Sequence, residues 1–336
     1  MGPPLLRSTT EIRMNRREVS ESTLPPSVVI CGPTAAGKTE IALEIARRMP
    51  TRLISADSVQ VYRGMDIGTA KPDARTLEKF PHALIDIRDP EEGYSAAEFE
   101  RDAGAEIAAA RSAGTLPVVV GGTALYLRAL RYGLDAMPSA DAELRQRIVD
   151  EAGEAGWPAM HRRLARLDPA SGRRIRPSDP QRIQRALEIC LTSGRPASTF
   201  YRGPGTDRLA DSLLLVIAPA DRTELHRRIE CRWSRMLELG LIDEVERLLN
   251  RPGLKRSSMA LRAVGYRQTI QYLDGEIERA ELVDRASAAT RQLAKRQLTS
   301  FRKWTGGLWC DPLNIRTIDR IIRRVSEFGV STGAAS

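Results

Sequence analysis

Gly32-Pro33-Thr34-Ala35-Ala36-Gly37-Lys38-Thr39 has the spacing G-x-x-x-x-G-K-T, which is the pattern of a phosphate-binding loop. The four residues before it, Val28 to Cys31, are apolar and mostly β-branched, and they predict a buried strand. Apolar residues then recur at helical spacing from Thr39 to Met49, which predicts a helix packed on a sheet. Backbone N–H groups, a helix N-terminus and the Lys38 ammonium would surround phosphate oxygens there. The segment therefore predicts a di- or triphosphate site, with the Thr39 hydroxyl placed to bind Mg²⁺.

Strands and helices continue to alternate on both sides of this unit. Further buried strands are predicted at residues 52–55, 82–86, 116–120 and 212–218, and helices at 95–113, 124–131, 222–250, 260–273 and 282–304. Ser95 and Glu98 stand at capping-box spacing at the start of one helix. The alternation predicts an α/β fold, a P-loop NTPase-like parallel sheet flanked by helices.

The stretch from Leu134 to Asp211 interrupts that alternation. It is rich in Arg, Asp and Pro, and its pattern is helical with turn signals at Asp168-Pro169 and at residues 177–180. We interpret residues 134–211 as an inserted helical domain, and residues 27–133 with 212–312 as the core. Residues 1–26 are predicted to be a disordered tail without the features of a targeting peptide, and residues 313–336 a C-terminal helix and tail.

Charge and cysteine content narrow the class of protein. The chain carries 52 Lys and Arg against 43 Asp and Glu, a net charge of +9, and Arg predominates over Lys. A nucleic-acid partner explains this excess, and so would the codon usage of a GC-rich genome. The four cysteines are widely spaced without a zinc-site pattern, which predicts reduced thiols in a cytoplasmic protein. No apolar run approaches the roughly 20 residues of a membrane span.

Two turns should meet the phosphate loop, because ligands of open α/β sheets lie beyond the carboxyl ends of the strands. Asp57 follows the strand at 52–55, and it fits a metal ligand, a general base or a helix cap. Gly121-Gly122-Thr123 follows the strand at 116–120. It fits a second anion-binding turn, and Thr123 also fits a simple N-cap.

Three basic segments fit RNA recognition. The helix that begins at Asp179-Pro180 places Gln181, Gln184 and Arg185 away from its apolar face, where they would meet RNA or only solvent. Residues 262–267 hold two arginines around a glycine and a tyrosine, a combination that suits phosphate contacts and base stacking. The helix at 282–304 interleaves basic residues with aromatics, which suits single-stranded RNA unless the aromatics belong to the core.

The order of these segments resembles the tRNA dimethylallyltransferase (isopentenyltransferase) family, in its bacterial branch. The resemblance extends from about Val28 to Trp309, nearly the whole folded chain. It rests on the following runs: Gly32 to Thr39, Ser55-Ala56-Asp57-Ser58-Val59-Gln60-Val61-Tyr62, Gly64-Met65-Asp66-Ile67-Gly68-Thr69-Ala70-Lys71-Pro72, Gly121-Gly122-Thr123, Asp179-Pro180-Gln181-Arg182, Val264-Gly265-Tyr266-Arg267 and Ala294-Lys295-Arg296-Gln297. Nothing after Trp309 offers the zinc site of eukaryotic relatives.

The resemblance implies transfer of a dimethylallyl group from dimethylallyl diphosphate to the N6 amine of the adenosine 3′ of the anticodon. It assigns Asp57 as the base, with Lys38 and Thr123 at the reacting region and Mg²⁺ as the cofactor. The diphosphate would be bound by Gly32, Pro33, Thr34, Ala35, Ala36, Gly37, Lys38, Thr39, Arg228 and Arg232. The tRNA would be bound by Asp57, Ser58, Val59, Gln60, Thr123, Arg145, Gln181, Arg182, Ile183, Gln184, Arg185, Arg262, Ala263, Val264, Gly265, Tyr266, Arg267, Lys295 and Arg296. A monomer is expected.

The main alternative is a P-loop kinase for a nucleotide or small molecule, which shares the loop, the sheet and an inserted lid. Its chemistry gives no reason for a basic insert and a basic C-terminal helix. A GTPase-type RNA switch is disfavoured because the sequence has no Asn-Lys-x-Asp guanine motif.

Overall fold

A computed structural model describes residues 23–138, 141–201, 203 and 205–333. The predicted tail at 1–26 lies almost entirely outside these residues. The strands are β1 (Val28–Cys31), β2 (Thr51–Ser55), β3 (His82–Ala83), β4 (Leu116–Gly121), β5 (Leu213–Ile217) and β6 (Leu308–Cys310). The α-helices are α1 (Lys38–Ala46), α2 (Ala74–Lys79), α3 (Ala96–Ser112), α4 (Ala124–Tyr132), α5 (Ala142–Ala155), α6 (Trp157–Leu167), α7 (Pro169–Arg174), α8 (Pro180–Ser193), α9 (Arg222–Glu238), α10 (Leu241–Leu249), α11 (Tyr266–Leu273), α12 (Arg279–Phe301) and α13 (Thr317–Ser331).

The strands form one six-stranded parallel sheet in the order β3-β2-β4-β1-β5-β6. Strand β1 is central, and all four of its residues are buried. Side chains that alternate along the strands feed two hydrophobic clusters, one on each face of the sheet. A parallel sheet covered by helices on both faces confirms the predicted fold class.

Two more hydrophobic clusters lie away from the sheet. One is formed by α9, α10, α11 and α12 together with the loop that follows β2, and it contains Trp233 and Tyr266. The other is formed by α5, α6, α8 and the 3₁₀ turn Ala197–Phe200. Residues from Met137 to Phe200 pack around this cluster, whereas Leu209 belongs to a cluster of the sheet. We propose residues 134–211 as a separate helical domain whose last residues return to the core.

Several element boundaries differ from the predictions. The helix expected over 222–250 is divided at Gly240, whose φ is 95°. The strand expected over 82–86 ends at Ala83, because Leu84 and Asp86 have positive φ angles. The predictions missed α2, which buries no residue and so has no apolar period, and β6, which is only three residues long.

Candidate active site

The phosphate loop connects β1 to α1. Gly37 stands at the N-cap of α1 with a φ of 88°, a left-handed conformation that favours glycine. The Lys38 ammonium donates a hydrogen bond to the Pro33 carbonyl at 2.7 Å and so folds back over the loop. Burial, together with the positive charge of Arg232, lowers the pKa of Lys38 to about 8. Within the described ranges, no carboxylate forms a hydrogen bond or ion pair with Lys38, so its positive charge can bind an anion in the loop.

Arg228 and Arg232 of α9 add two more cations to the loop. The Arg232 guanidinium donates to the Thr34 hydroxyl at 3.2 Å, whereas Arg228 pairs with Glu224. Burial lowers the pKa of Arg232, and Asp57 and Glu40 oppose that effect. Both arginines line an open pocket of about 440 Å³ with Lys38 and Thr39. The structure thus brings together all the predicted cationic diphosphate ligands.

Asp57 lies in the turn after β2 and caps that turn. Its Oδ1 oxygen accepts from the amide of Val59 at 2.9 Å and from that of Gln60 at 3.4 Å. Among the described residues we find no hydrogen bond to its second oxygen. No helix begins at Asp57, so the helix-cap interpretation is wrong. The carboxylate instead caps a turn, which orients it while one oxygen stays available for a proton.

Thr123 stands at the N-cap of α4, but its side chain does not cap the helix. Its hydroxyl accepts from the Ser58 amide at 3.0 Å and donates to the Ser58 hydroxyl at 3.3 Å. The simple N-cap interpretation is wrong for this side chain. Thr123 instead joins the turn after β4 to the turn after β2, beside Asp57.

Two connected cavities lie between these turns and the phosphate loop. A cavity of about 80 Å³ is lined by Lys38, Thr39 and Asp57. A second cavity of about 290 Å³ shares Thr34, Asp57 and Arg232 with it. The rest of its lining is largely apolar. It includes Val59, Trp233, Met236, Val264, Tyr266 and Leu293, beside the polar side chains of Ser58, Thr69, Thr123, Thr290, Arg296 and Gln297. The arrangement places an anion site next to a space for an apolar group, with a carboxylate between them.

The larger cavity adjoins a cleft of about 1570 Å³ between the core and the inserted helices. Ser58, Thr123 and Val264 line both spaces. The cleft also carries Arg145 and Arg176 from the insert and Arg262 from the core. Its size and basic side chains suit a nucleic-acid segment, with the cavity as the place for an extruded base.

The predicted RNA-binding residues fall into different environments. Seven of them are exposed, and these are Arg145, Gln181, Arg182, Arg262, Arg267, Lys295 and Arg296. The exposed Arg145 and the half-buried Arg185 both pair with Glu188, a buried carboxylate that also accepts from the Asp141 amide. The Gln184 side-chain amide donates to the Arg145 carbonyl. These contacts show that two of the predicted arginines hold the insert together.

Three side chains do not match the expected direct contact with RNA. Ile183 is completely buried in the cluster of the insert, because it lies on the apolar face of α8. Tyr266 is also completely buried, and its hydroxyl donates to Glu244 at 2.6 Å, so it is not free to stack on a base. The Gln60 amide donates to the carbonyls of Thr69 and Ala70, which fixes a loop at the cavity.

Sequence reasoning missed three residues that shape the site. Glu244 accepts from the amides of residues 66, 67 and 68 and so anchors a loop that lines the cavity. Trp233 forms part of the apolar wall and donates to Thr290 at 2.9 Å. Gln297 contacts both the phosphate loop and the turn after β4. Gln297 belongs to the run 294–297, one of those that carry the family resemblance, and that run could have indicated a role for it.

The donor set fits a Mg²⁺ ion that is bound mostly by a diphosphate. Within the described ranges no group of three or more His, Cys, Asp or Glu side chains is placed to hold a metal. Thr39 does line the small cavity with Lys38 and Asp57. Mg²⁺ commonly takes few protein ligands and keeps phosphate oxygens and water.

The described cysteines are all unpaired; Cys231 is exposed, and Cys31, Cys190 and Cys310 are buried. Over the same described part of the chain, none of the helices combines the length and the apolar character needed to cross a bilayer.

Comparison with known proteins adds independent information. A family model described as IPP transferase matches residues 60–304. A tRNA dimethylallyltransferase of Thiobacillus denitrificans is 53% identical over 290 residues, which cover 86% of this chain and 93% of that protein. A tRNA dimethylallyltransferase of Thioalkalivibrio sulfidiphilus is 54% identical over 283 residues, with 84% and 88% covered.

Solved structures give the same picture. A tRNA isopentenylpyrophosphate transferase from Bacillus halodurans superposes with a TM-score of 0.66 at 34% identity, covering 91% of this chain and 97% of that one. A eukaryotic dimethylallyltransferase that acts on tRNA gives a TM-score of 0.75 at 25% identity, with 91% and 80% covered.

Proposed function

Because the chain belongs to the IPP transferase family, we propose that it transfers a dimethylallyl group from dimethylallyl diphosphate to the N6 amine of the adenosine 3′ of the anticodon in tRNA. The observation that carries this proposal is the position of Asp57. It lines the cavity beside the phosphate loop and the largely apolar cavity, and the next residue, Ser58, lines the cleft with basic side chains. Diphosphate, isoprenoid and RNA each have a place next to one carboxylate.

The donor binds with its diphosphate in the loop and its isoprenoid in the cavity of about 290 Å³. Negative charge grows on the diphosphate as the bond between its oxygen and the allylic carbon breaks. Lys38, Arg232 and the loop amides stabilise that charge. When bound, Mg²⁺ would add Lewis-acid stabilisation of the diphosphate, with Thr39 as its protein ligand.

The acceptor reaches the same point from the cleft. An exocyclic adenine amine is a weak nucleophile, and it loses a proton as it bonds to the allylic carbon. The free oxygen of Asp57 takes that proton, while the Val59 and Gln60 amides hold the other oxygen. Thr123 and Ser58, hydrogen-bonded to each other at the cavity mouth, contact the incoming base.

Transfer assays with the intact chain test this function. The protein is incubated with Mg²⁺, radiolabelled dimethylallyl diphosphate and either unmodified tRNA or the same tRNA with guanosine replacing the target adenosine. We expect label only in the first RNA and release of one diphosphate per transfer. Labelling of neither RNA, together with phosphorylation of a small molecule by ATP, would instead support the kinase alternative. The monomeric state is also a proposal, and light scattering of the same preparation checks it.

A further inference from the structure

The side chain of Gln297 lies between two loops of the active site. It projects from α12 and is 9% exposed. The Thr34 amide donates to its Oε1 at 2.9 Å, and its Nε2 donates to the Gly122 carbonyl at 2.8 Å. A backbone amide can only donate and a carbonyl can only accept, so these partners fix the orientation of the side-chain amide. The contact needs one donor and one acceptor on the same short side chain.

The two loops serve different reactants under the proposed function, on which this inference rests. Thr34 belongs to the loop that holds the diphosphate, and Gly122 precedes Thr123 at the mouth of the cleft. A shift of about 1 Å between reacting atoms is enough to cost roughly a hundredfold in rate. The separation of these loops is therefore a direct control on the reaction.

Gly122 shows how tightly the contact is built. A Cβ atom at this position would lie 2.6 Å from Gln297 Nε2 and 3.2 Å from the Gly32 carbonyl oxygen. Any larger residue would push the turn after β4 away from Gln297 and from the phosphate loop. The bridge, meaning the hydrogen bonds from Thr34 through Gln297 to Gly122, thus depends on both Gln297 and Gly122.

The same turn of α12 carries Lys295 and Arg296, which are exposed, and Arg296 lines the cavity. The Gln297 side chain, next to Arg296 in the sequence, is buried against the core. The helix that offers charge to the RNA is consequently the helix that holds the two loops together.

We propose that Gln297 is a positioning residue that sets the distance between the donor loop and the acceptor loop. Gln297 lines both cavities, but the oxygen and the nitrogen of its side-chain amide are both engaged by the two loops. Its contribution is expected in kcat, because both substrates keep their own ligands when the bridge is lost.

The first test compares Gln297→Glu with Gln292→Glu in steady-state transfer. Glutamate keeps the length of the side chain and an acceptor for Thr34, but it has no donor for the Gly122 carbonyl at neutral pH. Gln292 is an exposed residue of the same helix, so its variant controls for added charge. We expect kcat of Gln297→Glu to fall at least about thirtyfold, with both KM values within about threefold of wild type. A kcat close to that of the control would overturn the proposal, and so would a loss expressed only in KM.

The second test is a double-mutant cycle with Gly122→Ala, Gln297→Ala and the combined variant. If both residues act through one bridge, the combined variant should be no slower than the worse single variant. Multiplying losses would mean independent roles and would overturn the shared bridge.

Hydrogen exchange supplies a readout that does not depend on activity. Exchange should speed up in both segments 32–39 and 120–125 in Gln297→Ala, but not in Gln292→Ala. Unchanged exchange in either segment would refute the inference. Inactivity of wild type with tRNA and dimethylallyl diphosphate would refute the proposed function. The hydrogen-exchange comparison would still show whether Gln297 holds the two loops together.

Discussion

At the scale of single residues, Asp57 performs two tasks that substitution can separate. One carboxylate oxygen holds the turn after β2, and the other faces the chemistry. Asparagine keeps an oxygen for the turn but is a far weaker base, whereas alanine removes both functions.

We predict that Asp57→Asn lowers kcat by about a hundredfold or more, the range for a lost general base. Binding of tRNA and of dimethylallyl diphosphate should change little. Asp57→Ala should show the same loss of kcat and also a lower melting temperature. Single-turnover kinetics and thermal unfolding of the two variants measure this. Normal turnover with weakened tRNA binding in Asp57→Asn would make Asp57 a recognition residue.

Lys38 leads to a prediction about pH. Burial, with help from Arg232, holds its pKa at about 8, below the ordinary value, so the free enzyme loses this positive charge as the pH rises through 8. We expect kcat/KM for dimethylallyl diphosphate to be highest below pH 8 and to fall toward tenfold per pH unit above it. The profile is measured from pH 6.5 to 9.5 at saturating tRNA.

The matched variant is Lys38→Met, which has no charge to lose. Its kcat/KM should be at least about a hundredfold lower than that of wild type, since a preorganised donor is missing, and flat over the same range. A wild-type slope that persists in Lys38→Met would assign the titration to another group.

At the scale of elements, α8 carries two arginines that lie in different environments. Arg185 pairs with Glu188, whose side chain is only 1% exposed, whereas the Arg182 side chain is 74% exposed. Arg185 was predicted to bind RNA from its place on the helix, and the family resemblance implied the same for both arginines. The structure predicts different effects on the stability of the insert.

We expect Arg185→Ala to lower the free energy of unfolding by about 1–2 kcal/mol, because it removes a charged partner from a buried carboxylate that keeps Arg145. Arg182→Ala should change it by less than about 0.5 kcal/mol, as for most surface substitutions. Urea denaturation followed by circular dichroism compares the two. Equal stabilities would show that the Glu188 pairs contribute nothing.

At the scale of the whole molecule, the cleft between core and insert should dominate the salt dependence of tRNA binding. Arg176 and Arg262 line it from opposite sides. Each phosphate contact removed should reduce the slope of log affinity against log salt by about 0.7 to 1. We predict this flattening for Arg176→Ala and for Arg262→Ala.

Arg324→Ala on α13 is the control, because this exposed arginine is not part of the cleft lining. Affinity for dimethylallyl diphosphate should stay unchanged in all three variants. Slopes identical to that of wild type would show that the cleft is not part of the tRNA interface and that its arginines are only solvated surface residues.

Features set by neighbouring residues could be predicted from the sequence. The phosphate loop, the central strands, the N-caps at Ser95 and Asp179, and the helical character of the insert all depend on residues within a few positions of each other. Their conformations follow from backbone sterics, capping and the apolar period. The fold class was therefore determined by local patterns.

Tertiary packing decided what each side chain does. Thr34 and Gln297 are 263 positions apart, and Arg232 reaches Thr34 across 198 positions. The burial of Ile183 and Tyr266 and the pairing of Arg185 with Glu188 likewise depend on which helix faces meet. A single sequence gives the order of residue types along the chain, whereas the stabilising contacts form between residues that are close in space. The contact partners of these side chains are therefore visible only in the packed structure.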